Sequence, residues 1–349
     1  MASPPPEQMD AVRLTREGEP LGLERVPVAR PGAGEVLVRV AAAPINPSDL
    51  GFLAGTYAVK RTQPVTPGFE GSGTVVAAGP GLMPRLLLGR RVAFAVPAGG
   101  SWAEYAVAPA KGCIPLGRAI DLEAAATLIV NPLTVLAFFE ILRGDAHAAV
   151  VSTAAAGALG RMVIRLGRAQ GVPSINVVRR APQVDELRGL GAEHVLLSTA
   201  PDYPDELRAL ARRLRATLVL DAIGGEQTQV LVDAAPVGST ILAYSALAGA
   251  PSVYSPRTLI SDRKRIEGFY LAHWLEARPL WRKIRDASRV QQLASSELRT
   301  RVQARFPLAQ AQQAVLAYRE HMTAGKVLLV PAQGADRTAP RRLHLEPAP

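Results

Sequence analysis

From Ala148 onward, short apolar runs recur with stretches of helical character between them: Ala148 to Ser152, Ile175 to Val178, Val195 to Leu197, Leu218 to Leu220 and Thr240 to Ala243. Runs this short read as strands, and the segments between them are long enough for helices, so the pattern is a series of βαβ units. Parallel strands need crossover connections and collect into one covered sheet. The expected fold class is therefore α/β, built on a Rossmann doubly wound parallel sheet. Before Asp121 the character differs. Glu35 to Ala41 alternates as a half-buried strand does, Gly71 to Val76 and Arg90 to Val96 read similarly, and frequent Gly and Pro separate them. The first third is thus expected to be a small, irregular β domain, with loops carrying Asn46, Pro47, Asp49, Tyr57 and Pro67.

With 349 residues, two domains are the default expectation. After Ile266 to Leu271 the chain turns helical and basic. A final helix, Leu308 to Tyr318, precedes the apolar run Val327 to Val330, which lies too far from the main array to be placed by periodicity. Gly334 to Pro349, rich in Pro and Arg, reads as a mobile tail. No internal repeat is visible.

Several function classes are excluded or disfavoured by composition. Cys113 is the only cysteine, so neither an intrachain disulfide nor a cysteine-built metal cluster can form. The net charge of +10 is scattered along the chain and interleaved with Asp and Glu, which speaks against a nucleic-acid partner. No window approaches the roughly eighteen apolar residues of a membrane span, and Met1 to Asp10 lacks the basic start and apolar run of a secretory signal. The expectation is a cytoplasmic protein with neither a nucleic-acid nor a membrane partner.

The strongest local motif is Ala155-x-Gly157-x-x-Gly160, placed between the strand at Ala148 to Thr153 and an amphipathic helix, Leu159 to Ala169. A glycine at 157 lets the backbone approach a pyrophosphate, one at 160 lets helix pack on strand, and the helix N-terminus favours the anion. Alanine stands where the fingerprint has its first glycine. Ala156, Gly157, Leu159 and Gly160 are the candidate contacts of this turn. About twenty residues further on, where an NAD site offers Asp or Glu to the ribose, stand Arg179 and Arg180. Guanidinium groups grip a 2′-phosphate that a carboxylate would repel, so the expected cofactor is NADPH rather than NADH.

Asn46-Pro47-Ser48-Asp49, Gly55-Thr56-Tyr57 and Pro67-Gly68-Phe69-Glu70-Gly71-Ser72-Gly73 resemble, in order and spacing, the zinc-independent branch of the medium-chain dehydrogenase/reductase superfamily. Asn131-Pro132-Leu133-Thr134, the glycine turn, Asn176 to Arg179, Leu190 to Val195 and Gly268-Phe269-Tyr270-Leu271 extend the likeness. Within that branch the chain is most similar to 2-enoyl thioester (enoyl-CoA) reductases, with quinone oxidoreductases as near relatives. The resemblance implies a GroES-like catalytic domain of residues 1–123 and 296–333, a Rossmann NADPH-binding domain at 124–295 between them, and a homodimer. It implies no metal: Asn46 and Phe69 stand at the zinc-ligand positions of the metal-dependent relatives, and Glu70 alone is not a zinc site.

Hydride addition to an α,β-unsaturated thioester or ketone creates an enolate whose oxygen needs a donor. Tyr57 matches the tyrosine that enoyl reductases use there, and is the candidate catalytic residue. Family likeness places Asn46 and Thr134 near the nicotinamide and ribose, Tyr244, Phe269, Tyr270 and Leu271 along the cofactor, and Lys326 at its ribose or phosphates. Reduction of a small-molecule enoyl thioester or enone is the leading expectation. Quinone reduction is the first alternative, and a catalytically silent NADPH-binding module the second.

Overall fold

The computed structural model describes residues 4–59 and 62–332. The tail expected from Gly334 lies outside them. The chain divides into two units, Met1–Val130 with Thr300–Pro349, and Asn131–Arg299. Both divisions fall later than the expected 123 and 295, for local reasons. The helix at Leu122–Ala125 packs on the first unit's sheet, and the carbonyls of Glu297 and Arg299 accept from the Arg165 guanidinium, which keeps that segment with the second unit.

The first unit opens with an antiparallel pair, β1 (Gln8–Arg13) and β2 (Gly22–Pro27). Then follow β3 (Glu35–Pro44), helix α1 (Pro47–Leu53), β4 (Glu70–Ala78), the short helix α2 (Leu82–Leu87), β5 (Arg91–Ala95), β6 (Tyr105–Pro109), β7 (Cys113–Pro115) and α3 (Leu122–Ala125). Alternation in β3 buries Val36, Val38 and Val40 on one face against Phe94 and Trp102. Each large side chain buried this fully contributes roughly 1.5–3 kcal/mol. Trp102 also gives its indole N–H to the Pro44 carbonyl at 3.2 Å.

The second unit runs α4 (Val130–Gly144), β8 (Val150–Ser152), α5 (Ala158–Gln170), β9 (Ser174–Val178), α6 (Pro182–Gly189), β10 (His194–Leu197), α7 (Tyr203–Leu214), β11 (Leu218–Asp221), α8 (Gln227–Ala234), β12 (Thr240–Ala243), α9 (Pro256–Asp262), β13 (Arg265–Gly268), α10 (Leu271–Glu276) and α11 (Leu280–Gln292). Its six strands lie in the order β10-β9-β8-β11-β12-β13, all parallel. This is the doubly wound order of a dinucleotide fold, with the reversal between β8 and β11. The sixth strand ends at Gly268, shorter than the run to Leu271, where α10 already begins.

The chain returns to the first unit through β14 (Val302–Phe306), α12 (Ala311–Glu320) and β15 (Lys326–Leu329). β15 pairs with β3 at Ala43 and Pro44, on a strand long enough to pair with β6 at residues 35–39 as well. The run that periodicity leaves unplaced therefore joins the first unit's seven-stranded sheet. Among the described residues, no helix is long and apolar enough to cross a membrane.

Candidate active site

The structure gathers the candidate residues into two sets, one in each unit. In the first unit Asn46 begins α1 and Lys326 begins β15, and both are buried. The Asn46 amide donates to Glu70 Oε1 at 2.9 Å, while its Oδ1 accepts from Lys326 Nζ. Lys326 also donates to the Ile45 carbonyl at 3.3 Å, and its ammonium lies 5.5 Å from the centre of the Tyr318 ring. Glu70 Oε2 accepts from the backbone amides of Ile129 and Val130 at 3.2 and 2.9 Å, and Asp49 Oδ2 accepts from the backbone N–H of Asn46 at 2.7 Å. Asn46 and Lys326, placed by resemblance beside the cofactor, are thus hydrogen-bonded to each other inside the β domain.

Burial governs the charges here. It pushes Asp49 up to about 7, against the Asn46 amide and the Lys326 ammonium, which favour the carboxylate. It also raises Glu70, opposed by the Val130 amide and Lys326. Lys326 comes down to about 8 because desolvation outweighs the attraction of Glu70 and Asp49. One buried cation facing two buried acidic groups is stabilised only as a group. Sequence reasoning named Asp49 and Glu70 within motifs but did not see this network. Its only signal was two carboxylates inside otherwise apolar or glycine-rich segments.

Tyr57 stands just beyond α1, half-buried, with its amide donating to Gly51 O at 3.2 Å. Its ring lies 5.1 Å from Phe69, which in turn meets Phe52 edge-on at 5.3 Å. An aromatic base thus holds the phenol on a short turn.

In the second unit the glycine turn follows β8. Ala155 donates to the Val177 carbonyl of β9 at 3.1 Å, and the Thr153 hydroxyl joins β11 by donating to Leu220 O at 3.1 Å and accepting from Ala222 N at 2.8 Å. The turn is therefore laced to both neighbouring strands at the point where strand order reverses. Gly157 is the N-cap of α5 with an ordinary φ of −72°, so its value lies in its size rather than its conformational range. At Gly160 a Cβ would lie 2.4 Å from Ala155 O, so helix and turn pack too closely for any side chain. The left-handed position belongs to Ala154, at φ 48°. Ala156 is buried, with its carbonyl accepting from Arg161 Nε, and Leu159 is half-buried in the first turn of α5. Arg179 and Arg180 follow β9 directly, both exposed.

Thr134 and Phe138 lie one turn apart on α4, both buried. The Phe138 ring meets Tyr244 and Phe269, each at 5.0 Å, with Thr134 one turn earlier on the same helix. Burial pushes the Tyr244 hydroxyl well above the usual phenol range. Tyr270 caps α10 with its ring edge-on to His273 at 5.0 Å, and Leu271 is half-buried. Sequence reasoning missed Asp221, whose carboxylate accepts from the amides of Ile223 and Gly224 at 2.9 and 3.1 Å and from Thr228 Oγ1 at 2.8 Å. It shapes the turn that leaves β11, and the Gly224-Gly225 pair was its signal.

The family described as "Alcohol dehydrogenase GroES-like domain" matches residues 32–118, and "Zinc-binding dehydrogenase" matches residues 158–286. The chain is 32% identical to the mitochondrial enoyl-[acyl-carrier-protein] reductase of Bos taurus, over 78% of this chain and 75% of that protein. The Homo sapiens counterpart gives the same identity and coverage. Among solved structures, a Mesorhizobium loti protein provisionally named an NADPH:quinone reductase superposes with a TM-score of 0.87 at 34% identity, covering 94% of this chain and all of that one (100%). A Thermus thermophilus quinone oxidoreductase, whose structure is also described in complex with NADPH, superposes at 0.74 with 27% identity, covering 92% and 100% of the two chains.

A zinc ion does not fit the residues present. Among the described residues no three His, Cys, Asp or Glu side chains converge as ligands. Glu70 is committed to Asn46 and two backbone amides, and the adjacent cation is the Lys326 ammonium. A dinucleotide does fit the second unit: the turn at 153–157 lies at the strand-order reversal, Gly160 provides the close helix packing, and exposed guanidinium groups stand at the end of β9.

Proposed function

Because the chain belongs to the medium-chain dehydrogenase/reductase superfamily, with enoyl reductases and quinone oxidoreductases among its relatives, we propose that it is an NADPH-dependent, metal-free reductase of the activated C=C bond of a 2-enoyl thioester or related α,β-unsaturated carbonyl. The observation that carries this reading is the turn laced between β9 and β11, with Arg179 and Arg180 immediately beyond β9. Gly157 and the α5 N-terminus would hold the pyrophosphate, the two arginines the 2′-phosphate, and Thr134, Tyr244 and Phe269 the nicotinamide half. When bound, the dinucleotide supplies the hydride.

The chain's own contribution is to hold the acceptor and to receive the charge that develops on its carbonyl oxygen. Tyr57, seated on Phe69, donates its phenolic proton in a hydrogen bond to that oxygen. A thioester or conjugated ketone is already activated, so this donor suffices where oxidation of a simple alcohol would call for a metal. The likeness to the Mesorhizobium loti structure supports quinone reduction as the second reading. The enzyme is further proposed to work in the cytoplasm as a homodimer joined along β13, the edge strand of the six-stranded sheet.

The test follows NADPH oxidation against enoyl thioesters, enones and quinones in parallel, with the Tyr57→Phe variant beside the wild type. Turnover of thioesters that falls about a hundred- to a thousandfold in the variant supports the assignment. Turnover of quinones alone, unchanged in the variant, moves the protein to the second reading. Binding of NADPH with no consumption across the panel defeats both.

A further inference from the structure

Helix α2 is apolar on its outward side as well as its inward one. Pro84 and Leu87 face inward, Leu87 within the first unit's core, whereas Leu82 is 76% exposed, Leu86 66% and Leu88 54%. A helix on a protein surface ordinarily turns its charged side outward and its apolar side in. Here three leucines stand outward beside Met83 and Arg85, and the shape is set firmly. Val75 N donates to Arg90 O at 3.0 Å, Gly89 N to Val75 O and Arg90 N to Leu87 O, both at 2.9 Å, so the apolar tip is held against β4.

The charged side chains of this segment and of the adjacent turn are all cations. Arg85 and Arg90 are exposed on the same segment, and α2 packs beside the turn Ala110–Gly112, which presents exposed Lys111. None of the three forms an ion pair among the described residues. Between Gly71 and Ala103, and again between Tyr105 and Ile120, there is no Asp or Glu. Among the described residues, the one carboxylate close by is that of Glu35, on the strand β3 against which α2 also packs, and it accepts from the Gly32 amide at 2.8 Å.

We propose that the α2 tip docks peripherally on an anionic lipid surface, with Leu82, Leu86 and Leu88 entering the headgroup boundary and Arg85, Arg90 and Lys111 meeting lipid phosphates. Apolar side chains rimmed by cations are what such a surface rewards. A second copy of this chain is the poorer occupant, since a two-fold contact brings identical positive rims together. The expectation of no membrane partner rested on the absence of a spanning segment. Peripheral docking needs only a preformed tip.

The experiment is flotation of the full chain with vesicles of phosphatidylcholine alone and of phosphatidylcholine mixed with phosphatidylglycerol. Binding is expected to the mixed vesicles and to weaken as salt is raised. The double variant Leu82→Glu/Leu86→Glu, at two solvent-facing positions, is expected to lower partition roughly tenfold or more while its melting temperature stays near that of the wild type. Arg85→Gln/Arg90→Gln is expected to remove the preference for the anionic lipid. Absence of binding to mixed vesicles, or binding that the leucine variant leaves unchanged, overturns the proposal. So does sedimentation of the wild type as an oligomer that the leucine variant disperses, because the face is then a contact between copies.

Discussion

Lys326 Nζ donates to the side-chain oxygen of Asn46, a residue 280 positions upstream, and the same amide passes the contact on to Glu70. Among the described residues, the cation is the one buried positive charge facing Glu70 and Asp49. Lys326→Met keeps the stem's volume and removes the charge, so it is expected to destabilise the protein by about 3 kcal/mol or more, as breaking a buried pair does. Urea unfolding measures this. Adding Glu70→Gln is expected to restore part of the loss, and a double variant no better than the single would place the effect in packing instead.

Asp49 gives a pH signature. In the folded chain it holds its proton to about 7, whereas an ordinary aspartate releases it near 3.8. The folded state therefore binds more protons across that interval, and the residue's contribution to stability is full below it and lost as the pH rises through it. Asp49→Asn retains an acceptor for the Asn46 amide and removes the slope. Melting temperatures of the two proteins are expected to diverge in the variant's favour as the pH climbs through the interval, and a constant difference would show that Asp49 does not titrate there.

The glycine turn yields two substitutions of opposite sign. Gly160→Ala forces a Cβ to within 2.4 Å of a backbone oxygen, and is expected to lose roughly 1–3 kcal/mol through overpacking, with weaker dinucleotide binding. Ala154→Gly relieves a left-handed alanine at φ 48°, and is expected to gain about 0.5–1 kcal/mol after glycine's own entropic cost. Thermal melts with and without NADPH separate the two effects.

Cofactor choice rests on the end of β9. Arg179→Ala is expected to weaken NADPH about ten- to a hundredfold, the range of a lost hydrogen bond to a charged group, while NADH binding changes little. Titration calorimetry with both dinucleotides checks it. Equal loss for the two would mean that Arg179 does not read the 2′-phosphate.

Much of this architecture was legible because its signals are local. The βαβ alternation, the glycine turn and the arginines after β9 each declare themselves within a few residues, and Gly160 is required by the close approach that its motif implies. The β1–β2 pair escaped notice because every residue of β2 is at least partly exposed, leaving no apolar alternation to read. β14 was hidden for the same reason, being only half-buried along its length. Lys326 is placed at the cofactor's ribose or phosphates by resemblance alone, and its burial is not legible because lysine is rarely buried. Nothing near it in sequence reveals that it donates to Asn46 and to the Ile45 carbonyl. The left-handed position of the turn fell on Ala154 rather than on either glycine, which no glycine count could show.

The junction of β15 with β3 carries a consequence for biogenesis. A nascent chain releases Asn131–Arg299 as one uninterrupted stretch, able to fold while synthesis continues. The portion made first must wait, with Asn46 and Glu70 lacking their cation, until Lys326 leaves the ribosome. The order of maturation is therefore expected to run from the middle of the chain outward, reversing the usual N-terminal-first sequence.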